Sequence, residues 1–167
     1  MEFKLRAWNL DDVPSLAKHI NNIKIWNNVR DFLPNPYTEE DAREYILMLT
    51  EKGGPQMDFA IDIGGRAVGG IGLIPGSDVE RISAELGYWL GEEYWGNDIM
   101  SEAVKQIIQY AFGELFFSKI FAMVFSSNVA SMRVLEKVGF EKEAVLKSAL
   151  IKNGVIMDFH YYSIIKK

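Results

Sequence analysis

The feature that most constrains this chain is a strand, helix, strand run between residues 82 and 125. Ile82, Ala84, Leu86, Tyr88 and Leu90 alternate with Ser83, Glu85, Gly87 and Trp89, the period of two that a half-buried strand requires. After the stretch from Gly91 to Gly96, Met100, Ala103, Val104, Ile107, Ile108, Ala111 and Leu115 recur at three- and four-residue spacing, and Lys119 to Phe125 reads as strand again. Two strands separated by one helix within about forty residues form the crossover that parallel pairing needs.

The rest of the chain is arranged around that crossover. Phe3, Leu5 and Ala7 alternate with charged residues and predict a first strand. Asn9 and Asp12 carry helix-start chemistry ahead of Val13, Leu16, Ala17 and Ile20. Residues 21–36 are polar and end Pro34-Asn35-Pro36, so they are expected to be irregular or only briefly helical. Thr38 and Asp41 form a capping pair before Ala42, Tyr45, Ile46 and Leu49, and Gly53-Gly54-Pro55 stops that helix. Phe59, Ile61 and Ile63 alternate, Gly64-Gly65 signals a hairpin, and a third strand runs from Ala67 to Ile74. Val129 to Val138 predicts a short helix ended by Gly139. Glu141 to Leu150 and Val155 to Ile165 predict a hairpin across Asn153-Gly154.

Composition excludes several function classes. With 49% hydrophobic and 13% aromatic residues, 167 residues suffice for one domain, 1–167, with its own core. There is no cysteine, and His19 and His160 are the only histidines, so no thiolate or histidine-rich metal site is expected. The net charge of −5, with no basic run, argues against nucleic acid. No apolar stretch is long enough to span a membrane, and Met1 to Arg6 does not open a signal segment, so a soluble, cytoplasmic protein is expected. An anionic ligand would have to be held locally, by backbone N–H groups.

Two helix starts offer such groups. A chain passing from Gly91 through Gly96 into a helix presents orphan N–H donors at the positive end of the helix dipole. Asn128 is placed as an N-cap with Ser131 at the third helical position, which suits either plain capping or contact with a ligand.

At these residues the chain resembles the GNAT-type N-acetyltransferases, in particular the RimJ/RimL-like branch that acetylates the N-termini of ribosomal proteins. Gly87-Tyr88-Trp89-Leu90, Tyr94-Trp95-Gly96, Ser101-Glu102-Ala103, Asn128, Ala130, Ser131, Glu136, Lys137, Gly139 and Phe140 carry the resemblance, with Leu5-Arg6 and Pro36-Tyr37-Thr38. It implies an α/β (α+β) fold: a mixed, mostly antiparallel seven-stranded sheet, helices on both faces, and a splayed parallel pair at strands four and five. It also implies acetyl-CoA as donor, with pantetheine along Tyr88, Trp89 and Leu90. The pyrophosphate would lie on the loop Trp95, Gly96, Asn97, Asp98, Ile99, Met100 and Ser101. Asn128 would touch the pantetheine arm and Ser131 would lie near the departing sulfur. Dimers are common among such proteins, which makes a homodimer an expectation.

Three residues depart from the family pattern. Asp98 stands where glycine is usual, which would repel pyrophosphate unless the carboxylate turns away, although Asp tolerates positive φ. Met100 stands where a smaller residue is commoner and is expected to crowd the loop. Leu135 stands where many relatives carry a tyrosine acid, leaving Ser131 to protonate the thiolate. Glu85 is the carboxylate within the fourth strand that suits a general base, or a solvated residue on an alternating strand.

By the same resemblance Trp26, Asp31, Phe32 and Tyr37 border the acceptor cleft, with Trp26 and Phe32 expected to pack in the core. Asp78, Glu80, Glu92 and Glu93 suit attraction of a cationic acceptor but read first as solvated surface, and His160 reads as structural. The acceptor is expected to be a primary amine: a peptide N-terminus, or a polyamine, aminoglycoside or other small amine. A non-catalytic acyl-CoA sensor is the competing reading.

Overall fold

The computed structural model describes residues 1–167. Seven strands are ordered β1-β2-β3-β4-β5-β7-β6. They are β1 (Lys4–Arg6), β2 (Asp58–Ile63), β3 (Arg66–Pro75), β4 (Ser83–Leu90), β5 (Lys119–Phe125), β6 (Glu141–Lys152) and β7 (Val155–Ile165). Five helices join them: α1 (Val13–Ile20), α2 (Ile23–Trp26), α3 (Glu39–Glu51), α4 (Ile99–Gly113) and α5 (Val129–Val138). The β4/β5 pair is parallel, whereas β1/β2, β2/β3, β5/β7 and β6/β7 are antiparallel. The chain divides into two compact units, residues 1–72 with 88–99, and residues 73–87 with 100–167.

In the first unit, Trp8, Val13, Leu16, Ile20, Ile25, Tyr37, Ala42 and Ile46 are buried together against Ala60 and Ala67. Thr38 and Asp41 form a full capping box at the start of α3, so the expected helix start is where the local chemistry puts it. Gly64 and Gly65 take φ of 61° and 84° in the β2/β3 turn, a left-handed pair that residues with a Cβ resist.

Two expectations fail at the edge of this unit. The first strand stops at Arg6, and Trp8 rather than Ala7 enters the core. The cause is Arg6, whose guanidinium bonds Asp12 at 2.8 Å and Asp62 at 2.5 Å and holds the chain there. In β2, Ala60, Ile61 and Asp62 are buried in succession and the register shifts between Ile61 and Asp62. The same ion pair turns Asp62 inward and breaks the alternation.

In the second unit, α4 buries Met100, Ala103, Val104, Ile107, Ile108 and Ala111, as the spacing predicts. It ends at Gly113 with Leu115 outside it, because the N–H groups of both Glu114 and Leu115 converge on the Tyr110 carbonyl. Gly139, at φ 109°, closes α5 with its N–H on the Leu135 and Glu136 carbonyls, the left-handed end that glycine provides. The final hairpin reaches Lys152 before its turn, two residues beyond the expected Leu150.

Candidate active site

The parallel ladder is short. Its register comprises Ser83↔Lys119, Ala84↔Ile120 and Glu85↔Phe121, although β4 is 8 and β5 is 7 residues long. Leu86 and Gly87 therefore continue β4 past the last parallel pair, while β5 goes on pairing with β7 as far as Phe125↔Phe159. Strands that stop pairing leave main-chain donors and acceptors for another partner.

Glu85 lies at that last pair, half-buried, opposite Phe121. Phe121 stacks on Tyr161, with ring centroids 5.2 Å apart and planes 13° from parallel. The Lys119 ammonium stands 5.2 Å from the Tyr161 ring and bonds Glu143 at 2.9 Å. The bond to Glu143 raises the Lys119 pKa and lowers that of the Glu143 carboxyl. Phe121, Tyr161, Lys119 and Glu143 were not singled out from the sequence. Their alternation within β5 and β7 held the signal, but the registers of three strands were needed to read it.

In the first unit, Tyr88, Trp89 and Leu90 close β4. Trp89 packs against the core cluster, and its carbonyl lies so close to Gly69 that a Cβ there would come within 2.7 Å of it. A 3₁₀ turn at Glu92–Tyr94 follows, then the loop to α4. This loop braces itself: Trp95 Nε1 donates to the Leu90 carbonyl at 2.7 Å, and Asn97 Nδ2 donates to the Tyr94 and Trp95 carbonyls, each at 3.2 Å. Gly96 and Asp98 take φ of 79° and 58°, so Asp98 adopts the left-handed geometry that glycine enters most easily and that Asp tolerates.

Trp95 is 44% exposed, and Gly96, Asn97 and Asp98 are also exposed. Ile99, Met100 and Ser101 are buried; the Met100 side chain packs inside and does not crowd the exposed part of the loop. What these three offer a ligand is their backbone N–H groups, which in the first turn of a helix lack intrahelical acceptors.

The turn before this loop is held by side-chain bonds, so Glu92 and Glu93 are not the plain solvated residues expected. Glu92 accepts from Asn22 Nδ2 at 2.7 Å and is paired with Lys24, whose hydrogen bond holds the carboxyl below its usual range. Glu93 meets His19 Nε2 at 2.9 Å.

In the second unit, Asn128 Oδ1 accepts the Ser131 N–H at 3.3 Å, capping α5. His160 lies opposite Val124 in β7, its Nδ1 buried without a hydrogen-bond partner.

The residues expected at the acceptor side divide by exposure. Tyr37 is buried, and burial followed by the nearby Asp41 charge pushes its hydroxyl pKa up to about 12. Trp26 is half-buried and donates Nε1 to the Leu33 carbonyl at 3.3 Å. Phe32, expected to pack in the core, is 79% exposed. The Leu33 N–H bonds the Arg30 carbonyl at 3.1 Å, which puts Asp31 and Phe32 at the tip of the turn while Leu33 packs on the core in place of Phe32. No group of three or more carboxylates and histidines is arranged to hold a metal ion, and no helix is long and apolar enough to cross a membrane.

Comparison with known proteins agrees with this architecture. The acetyltransferase (GNAT) domain family matches residues 2–141. The [Ribosomal protein uS5]-alanine N-acetyltransferase of Escherichia coli is 30% identical over 152 residues, 89% of this chain and 76% of that protein. The uncharacterized N-acetyltransferase YoaA of Bacillus subtilis is 43% identical over 83 residues, so the matched part spans 50% of this chain and 47% of YoaA. The crystal structure of the ribosomal-protein-S5-alanine acetyltransferase from Vibrio fischeri shares the fold, with a TM-score of 0.85 at 24% identity over 99% of this chain and 93% of that one. A parallel pair whose ladder ends after three residues, a braced loop entering α4 and a family match over most of the length lead to one conclusion: this chain belongs to the GNAT acetyltransferase family and is an acetyl-CoA-dependent N-acetyltransferase that acts on an amine.

Proposed function

We propose that residues 1–167 act as a single acetyltransferase domain whose acceptor is the N-terminal α-amine of a protein, with ribosomal proteins the first substrates to test. Support for the donor side comes from the three-pair parallel ladder, which leaves β4 main chain for the pantetheine amides. The backbone N–H groups from Gly96 to Ser101 then take the pyrophosphate, and the Asn128 amide nitrogen takes the pantetheine arm.

The chemistry is direct attack in a ternary complex. The neutral amine adds to the thioester carbonyl carbon, and collapse of the tetrahedral intermediate breaks the C–S bond. Glu85 accepts the ammonium proton, and Ser131 donates its hydroxyl proton to the CoA thiolate and regains one from water. A positioned base contributes about 10² to 10⁴ in rate.

Proton supply favours the α-amine. With ordinary pKa values of about 7.8 and about 10.4, roughly a tenth or more of an α-amine but under about a thousandth of a lysine amine is neutral at pH 7. A single half-buried carboxylate has far less to do for the former. On the acceptor side, the exposed Asp31 and Phe32 give polar and apolar surface for a peptide amino terminus, with the half-buried Trp26 and buried Tyr37 in the same segment. The names of the uS5 enzymes point the same way.

The test is acetyl transfer from labelled acetyl-CoA to a panel of peptides with free or blocked N-termini, polyamines and aminoglycosides. Acetylation at the α-amine, with N-blocked lysine peptides inert, is expected. Turnover of polyamines or aminoglycosides alone overturns the acceptor assignment, and CoA binding without turnover of any amine overturns catalysis in favour of a sensor.

A further inference from the structure

From the bonding around His19 we infer that this residue is a positioning residue for the donor loop, acting through Glu93 and only while its ring is doubly protonated. The inference rests on the reading of the loop after β4 as the pyrophosphate site.

His19 lies in the last turn of α1 and is almost fully buried. Its Nδ1 is 2.8 Å from the Ser15 carbonyl oxygen and 3.3 Å from Ser15 Oγ. The Ser15 hydroxyl proton is directed to the Ala67 carbonyl at 2.6 Å, so Oγ also faces the ring as an acceptor. Nδ1 must therefore carry a proton. Nε2 faces Glu93 Oε1 at 2.9 Å, and the Glu93 side chain is 59% exposed to water. An ionised carboxylate only accepts. The 2.9 Å bond thus exists only when Nε2 carries a second proton.

The turn that Glu93 belongs to is seated on the same ring. A Cβ on Gly91 would come within 2.9 Å of His19 Cδ2, and the Tyr94 ring centroid is 5.9 Å from that of the imidazole. The loop from Trp95 to Asp98 starts one residue later, and Trp95 and Asn97 are bonded back to Leu90 and Tyr94. Releasing Glu93 frees one side of the support on which the phosphate-facing N–H groups are aligned. The other side, Lys24 and Asn22 on Glu92, does not depend on the imidazole.

The titratable groups that meet the ring are Glu93 and Tyr94 on the turn; Glu92 on the same turn is paired with Lys24 of α2, Lys18 precedes His19 in α1, and β3 contributes only the uncharged Ala67 and Val68, through Ser15 and Gly91. The support is present at low pH and lost as the ring gives up its second proton with rising pH.

The experiment is CoA affinity by calorimetry from pH 5.5 to 8.5, with kcat and the KM for acetyl-CoA over the same range, for the natural protein and the Glu93→Gln variant. Glutamine can bond either protonation state of the ring and sits on the surface, so folding is spared. Expected is a ratio of the two dissociation constants, natural over variant, that grows about three- to ten-fold from low to high pH, with KM following and kcat unmoved. His19→Gln, checked by circular dichroism, is expected to remove the same pH dependence. A ratio constant across the range, or a change confined to kcat, overturns the role of His19. Failure of the natural protein to bind CoA at any pH instead overturns the donor-site reading itself.

Discussion

The Tyr162 hydroxyl donates to Glu136 Oε1 at 2.7 Å, tying β7 to the last turns of α5. Tyr162 is fully buried, and burial first, then the Glu136 carboxylate, pushes its pKa up to about 12. The phenol therefore stays protonated and remains a donor at any working pH. Because α5 carries Asn128 and Ser131 at its other end, this bond fixes the helix that presents both.

Tyr162→Phe keeps the ring and removes the donor. Glu136 is exposed and regains water, so the loss is that of one charge-assisted bond, about 1–2 kcal/mol. Thermal unfolding is expected to fall by roughly 2–6 °C. No change in melting temperature would show that the bond contributes nothing net.

Asp98 is the second point of leverage. Its φ of 58° suits glycine, and it lies in the exposed loop assigned to pyrophosphate. Asp98→Gly and Asp98→Asn are both expected to tighten CoA binding by about three- to ten-fold at low salt, with the gain shrinking at high salt as screening removes the repulsion. Unchanged or weaker binding in both variants would mean that the carboxylate is turned away from the phosphates.

Much of this was legible in advance because it is local. Thr38 with Asp41, the glycine pair at 64 and 65, Asn153-Gly154 and Gly139 each act through neighbours within a few residues, and the structure puts a cap or turn at each. The strand, helix, strand run from Ser83 to Phe125 is likewise a pattern of period. What the sequence hid was non-local. His19 and Glu93 are 74 residues apart, and Arg6 and Asp62 are 56 apart. The general tendency of large aromatics to be buried misjudged Phe32, since the turn fixes which of two neighbouring apolar residues packs, and it chose Leu33.

The Arg6 network gives a prediction with a pH sign. Arg6 is 21% exposed but its partners Asp12 and Asp62 are only 5% and 4% exposed, so Arg6→Leu strands two buried carboxylates. The expected loss in urea unfolding at pH 7 is about 3 kcal/mol, near the lower end for a broken buried pair, because water still reaches the arginine. Burial opposes ionisation of Asp62, but the Arg6 bond and the Gly65 N–H outweigh it and lower its pKa. A carboxyl with a depressed folded-state pKa contributes stability above its unfolded pKa and loses it as pH falls through the folded value. The gap between natural protein and variant is therefore expected to narrow below about pH 4. A gap independent of pH would remove Asp62 from the account.

Asn128 allows capping and ligand contact to be separated. Its Oδ1 is committed to the Ser131 N–H, while its amide nitrogen makes no bond within the protein. Asn128→Ser keeps a capping oxygen and removes the amide donor; Asn128→Ala removes both. Loss of the cap costs about 1 kcal/mol, so Ala is expected to lower the melting temperature by roughly 2–4 °C and Ser hardly at all. If the amide nitrogen holds the pantetheine arm, both variants raise the KM for acetyl-CoA by about five- to ten-fold, the worth of one hydrogen bond. A serine variant with natural stability and natural KM would reduce Asn128 to a cap, and the hold on pantetheine would then rest on the β4 main chain alone.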